Sequence, residues 1–159
     1  MSDRIPMTRT GYDKIKAALD HLHTVELPEI LERLATARSE GDLTENVEYT
    51  GAQESRALME ARINVLRDKL SRAVLLDPAQ FPKDKVAFGA TVRVKDLAFD
   101  DEEEFTLVGA GEEDYDNGKI LVTSPLAQGL VDKKVGDRVE IDVPQGVLKF
   151  EILDIRNEQ

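Results

Sequence analysis

Between Ser39 and Glu48 the chain reads Ser-Glu-Gly-Asp-Leu-Thr-Glu-Asn-Val-Glu, with four carboxylates, no basic residue and a single glycine. Long helical patterns flank this stretch. From Thr8 to about Leu76 glycine occurs only at Gly11, Gly41 and Gly51, and Pro28 is the sole proline. After the stretch, Ala52, Arg56, Met59, Ile63, Leu66, Leu70 and Ala73 recur at alternating spacings of four and three. That alternation is a heptad, which keeps one seam toward a partner helix. Before the stretch stand Ile15, Leu19 and Leu22, then Leu27, Ile30, Leu34 and Ala37. The phase slips between Leu22 and Leu27, beside Pro28, so a kink or local unwinding is expected there. Two helical arms joined by a few residues around Gly41 fold back as an antiparallel hairpin. Arms of about 30 residues span ~45 Å at 1.5 Å per residue. The expected object is a rod with negative charge at one end.

Composition narrows what such a rod can do. The chain has 159 residues, 41% hydrophobic and 33% charged, which fits one domain or two small ones in a soluble protein. No apolar run approaches the ~20 residues that span a bilayer, and the start, MSDRIPMTRTGYDK, lacks the regions of a signal peptide. A cytoplasmic protein with no membrane partner is therefore expected. There is no cysteine, hence no disulfide framework, thiolate nucleophile or zinc–thiolate site. The two histidines, His21 and His23, are too few for a histidine metal cluster and read as helix-surface residues. A net charge of −11 opposes indiscriminate binding to duplex DNA, whose phosphates demand basic surface. It favours a basic protein partner instead. Any contact with nucleic acid should be local and shared with that partner.

Beyond Asp77-Pro78 the period changes. Phe81-Pro82-Lys83-Asp84 is turn-like. Strand candidates follow at 90–95, 104–108, 119–123, 138–143 and 147–155, with apolar residues alternating with polar ones as in a half-buried antiparallel sheet. Asn117-Gly118 reads as a hairpin turn. Ser124-Pro125 reads as the cap and first residue of a short helix. The division expected is residues 1–78 as the helical hairpin and 79–159 as a small β-rich domain, an α+β chain.

Several motifs resemble bacterial transcript-cleavage factors of the Gre family, the GreA type most closely. They are Ile5-Pro6-Met7-Thr8, then Ala37-Arg38 with Gly41-Asp42-Leu43, Glu45-Asn46 and Glu48-Tyr49 at the bend, then Phe88 to Val92, and Ser124 to Leu130. The resemblance runs the whole length of the chain. It implies an N-terminal coiled-coil hairpin and an FKBP-like domain that docks at the secondary channel of RNA polymerase. The hairpin would enter that channel as a monomeric accessory factor, not an enzyme in itself. Its tip acids, Asp42 and Glu45 by the matching motif, would share a Mg²⁺ ion with the polymerase and promote cleavage of the backtracked RNA 3′ end. The alternative within the same family is a channel-occupying inhibitor.

Elementary chemistry is compatible with that role. Hard divalent cations take oxygen ligands, often only one or two protein carboxylates. A carboxylate ~4 Å from such an ion, at an effective dielectric near 20, is attracted by about 8 kcal/mol before desolvation. Simpler readings stand beside it. Asp42 and Glu45 also have the spacing of a helix N-cap and an acid at the third helical position. Gly41 reads as the residue past a helix C-terminus. Arg38 and Arg56 either contact RNA phosphate or form ion pairs within the hairpin. Tyr49 either packs at the bend or touches the polymerase. Ten acids without a base between Asp96 and Asp116 read as a solvated edge.

Overall fold

A computed structural model describes residues 4–41 and 46–157. It divides into two compact units. One runs from Asp13 to Ala73, and the other joins the residues up to Tyr12 with those from Val74 onward.

The helical unit is built from α1 (Arg9–His21), a π-turn (Leu22–Glu26), α2 (Leu27–Ser39) and α3 (Val47–Ser71), which returns alongside α2. The π-turn sits where the apolar phase slips. Across it the Leu27 N–H donates to the Leu22 carbonyl, five residues back. Pro28 has no N–H to offer, and in an unbroken α-helix its ring would press on the carbonyl one turn earlier. Widening the turn relieves that clash and absorbs one extra residue. Leu27 therefore re-enters the seam in phase. Ile30, Leu34, Ala52, Met59 and Ile63 form the buried layer between the arms, with Leu19, Leu22, Leu27 and Tyr49 packed against it.

The helical reading to Leu76 is too long. α3 stops at Ser71, and Ala73–Leu75 forms a short strand, β2, paired with β1 (Ile5–Met7). Three residues are too few to show period two, so the heptad spacing runs on through them. The division at 78/79 is moved accordingly, because the first twelve residues go with the β-rich unit. Met7 is fully buried there. The Ala110 N–H donates to the Pro6 carbonyl at 3.1 Å, and the Leu76 N–H to the Met7 carbonyl at 2.9 Å. Thr8 caps α1, its hydroxyl accepting from the Gly11 N–H at 3.1 Å while donating to Glu112.

The remainder of that unit is a five-stranded sheet in the order β5-β4-β3-β7-β6. Its strands are β3 (Thr91–Asp96), β4 (Asp101–Val108), β5 (Lys119–Leu121), β6 (Arg138–Val143) and β7 (Gly146–Arg156). Strict alternation along β3 sends Val92 and Val94 into the core, as period two requires. There they join Leu107, Phe150 and Ile152. A short helix, α4 (Pro125–Leu130), begins as expected, with the Ser124 hydroxyl accepting from the Ala127 N–H. One pairing departs from the antiparallel expectation: β4 and β5 run parallel. Asn117-Gly118 does turn the chain, with Gly118 at φ +73°. The antiparallel pairing around it is a single bridge between Asp114 and Lys119. After β4 the chain crosses back along residues 109–118, so β5 must lie parallel. The acidic edge is partly neutralised by ion pairs of Glu102 with Arg93, Asp100 with Lys95 and Glu104 with Arg156.

Candidate functional site at the hairpin bend

α2 ends in a tight turn. The Glu40 N–H donates to the Ala37 carbonyl at 3.2 Å. Gly41 follows at φ +130°, an angle that disfavours any side chain. Asp42 and Glu45, the two acids on which the sequence argument rests, lie outside the described residues. The description resumes at Asn46.

Asn46 holds the start of α3. Its backbone is extended, and its Oδ1 accepts from the Tyr49 N–H at 3.1 Å. This is an asparagine N-cap, so the residue that caps α3 is Asn46; the capping spacing of Asp42 and Glu45 lies outside the described residues. The same side chain reaches the other arm, where Nδ2 donates to the Ala37 carbonyl at 2.7 Å. Ala37, in the last turn of α2, and Ala52, in the buried layer between the arms, are 2% and 1% exposed.

One residue further along α2, the Arg38 guanidinium lies 5.8 Å from the centre of the Tyr49 ring, within cation–π range. The Tyr49 hydroxyl accepts from Gln53 Nε2 at 2.9 Å. The neighbouring Arg38 guanidinium is the main cause holding the Tyr49 phenol below its ordinary value, opposed by desolvation and assisted by Gln53. Tyr49 thus packs at the bend, against the buried layer. Arg56 lies farther down the arm, its Nε 2.7 Å from Glu60 Oε1. That exposed i,i+4 pair contributes little stability. Of the two arginines, one is stacked across the arms and the other is paired along its own helix.

Among the described residues no group of three or more His, Cys, Asp or Glu is placed to hold a metal ion. No described helix is long and apolar enough to cross a membrane.

Residues 5–75 match the family model described as transcription elongation factor, N-terminal, and residues 81–157 match transcription elongation factor, GreA/GreB, C-term. The chain belongs to the GreA/GreB family. The transcription elongation factor GreA of Thermodesulfovibrio yellowstonii is 48% identical over 158 residues, covering 99% of this chain and 100% of that protein. GreA of Chlorobium limicola is 50% identical over 156 residues, covering 98% of each. A solved structure of the transcription factor Gfh1 is similar at 26% identity and a TM-score of 0.49, covering 98% of this chain and 99% of that one. The two GreA/GreB family models meet between residues 75 and 81, just past β2.

The cross-arm role of Asn46 was missed in the sequence. The signal for its capping half was present: an asparagine directly before a helical run, with the N–H of the third following residue in reach. Nothing in the pattern marked the bond to Ala37.

Proposed function

We propose that this GreA/GreB-family chain stimulates the RNA cleavage activity of RNA polymerase by delivering Asp42 and Glu45 to the polymerase active centre. The observation that carries the reading is the hairpin itself. Two packed helical arms converge on a short connection holding only carboxylates as charged groups. The donor set suits Mg²⁺, a hard ion that tolerates one or two protein carboxylates and keeps waters in its remaining positions. When bound, the ion would stabilise charge on the attacking and leaving oxygens of the phosphodiester. Asp42 and Glu45 would supply ligands to it, and the chain needs no metal of its own.

In this reading the hairpin enters the polymerase secondary channel, and the β-rich unit, an FKBP-like domain, docks outside it. The chain acts as a cytoplasmic monomer and performs no hydrolysis alone. Arg38 and Arg56, both near the bend, would meet the phosphates of the RNA 3′ segment. Arg56 would exchange its exposed Glu60 partner for phosphate at little cost.

Asp42→Asn tests the proposal, because α3 is capped by Asn46 and the substitution leaves that cap alone. Unfolding should be unchanged, while cleavage of RNA in a stalled elongation complex should fall by about tenfold or more, the loss of one metal-directed charge. Cleavage stimulated as well by the Asp42→Asn variant as by the parent removes Asp42 from the mechanism. A chain that acts by channel occupancy alone would be equally indifferent to it.

A further inference from the structure

We infer that Asn46, with Tyr49, is a positioning device for cleavage, a clasp that holds the two ends of the acidic connection at a fixed separation. The inference rests on the proposal that Asp42 and Glu45 act at a metal. Capping α3 needs only a side-chain oxygen, and serine or aspartate would supply one about as well as asparagine. Asparagine adds a donor, and here that donor serves the other arm, bonding the Ala37 carbonyl at 2.7 Å. Ala37 is in the last turn of α2, whose carbonyls lack a full set of helical partners. The adjacent residue, Arg38, is held by the Tyr49 ring. Two neighbours on α2 are thus tied to the N-cap residue of α3 and to Tyr49 in its first turn. Ala37 itself is buried, 2% exposed.

Metal chemistry supplies the reason for such a device. Ligand oxygens sit within about 2.0–2.6 Å of a hard cation, and a misplacement of about 1 Å can cost a hundredfold in rate. A connection whose ends moved independently would deliver its carboxylates to a spread of positions.

The chain has no cysteine, so Thr36→Cys with Thr50→Cys places nitroxide labels at two exposed positions, one on each arm. Their distance distribution reads the clasp without polymerase. Asn46→Ser keeps a cap oxygen, adds no charge and cannot span to Ala37. Asn46→Asp, an equally good cap, carries the test if the serine variant loses helix content. The expected result is a broadened label distribution. Stimulated cleavage at saturating factor should slow by about tenfold, with the half-saturating concentration unmoved. A purely structural role would weaken saturation and rate together. An unchanged distribution overturns the inference, whatever happens to the rate, and so does a broadened distribution with full cleavage. Asp42→Asn, run in parallel, separates the two ideas. If that variant cleaves normally the metal reading fails, while the label distances still judge the clasp.

Discussion

Removing Thr24 from the π-turn and replacing Pro28 with alanine should leave the helical unit at least as stable as the parent. Each residue of an α-helix turns the chain by about 100° and advances it by ~1.5 Å. In the parent, Leu22 and Leu27 are five apart, a spacing met by the π-turn. With Thr24 gone that interval becomes four, and the run from Leu19 to Ala37 becomes an unbroken alternation of three and four. Ile30, Leu34 and Ala37, now 7%, 5% and 2% exposed, would stay on the seam. Deleting Thr24 alone, however, places Pro28 inside a regular α-helix, at a cost of about 3 kcal/mol. The alanine removes that cost, so the two changes should be coupled by about 3 kcal/mol in a double-mutant cycle. Deleting Arg33 instead rotates Leu34 and Ala37 off the seam. It forfeits about 1.5–3 kcal/mol for the leucine alone, and the bond from Asn46 as well. Urea unfolding followed by helical circular dichroism would rank the five chains: the parent, the Thr24 deletion, Pro28→Ala, the two together, and the Arg33 deletion. If alanine at position 28 fails to rescue the Thr24 deletion, or if the rescued Thr24 deletion costs as much as the Arg33 deletion, the π-turn is not absorbing a phase slip.

Other expectations concern particular contacts. A Cβ on Gly109 would lie 2.5 Å from the Met7 Cα and 2.7 Å from the Pro6 carbonyl oxygen. Gly109→Ala should therefore lift β1 and destabilise the β-rich unit by about 3–5 kcal/mol, from the burial of Met7 and two backbone hydrogen bonds; a loss under about 1 kcal/mol refutes the packing. Gly51 lies within α3, where a Cβ would meet nothing within 4 Å among the described residues beyond its own helix backbone, so Gly51→Ala should stabilise the helical unit by about 0.8–1 kcal/mol in a thermal melt. Of the three tyrosines, Tyr49 is held below its ordinary value chiefly by the Arg38 guanidinium beside it. Arg38→Met should move the Tyr49 titration upward, and a spectrophotometric or NMR titration that does not move would dissolve the cross-arm contact.

Periodicity made the helical hairpin legible before any coordinates, since a seam repeated over several turns cannot be satisfied by a strand. It also located the defect beside Pro28, and the π-turn gave that defect its form. Where the period was too short to register, the reading failed. Ala73–Leu75 looked like the tail of a heptad because three residues cannot declare alternation, and their partner β1 lies at the far end of the chain. The parallel placement of β5 was equally hidden. A turn signal such as Asn117-Gly118 specifies local dihedrals, while the neighbour that accepts the strand is chosen by the crossover path and the core.

The bend shows the same division at the scale of single side chains. Its charge was plain in the sequence, because four carboxylates without a base need no structure to be noticed. Its geometry was not. A side-chain amide bonding a carbonyl nine residues earlier has no periodicity and no compositional mark. Asparagine before a helix is already explained by capping, so the sequence offers no surplus to account for. Only the position of the second amide atom reveals that the residue has another task. A carboxylate pair can be recognised by its letters, but the clasp we infer for it would be made by neighbours whose letters look ordinary. At this bend those neighbours are Ala37, Arg38, Asn46 and Tyr49. Substitutions there that preserve every acid and every helix cap are the ones that separate charge from its placement.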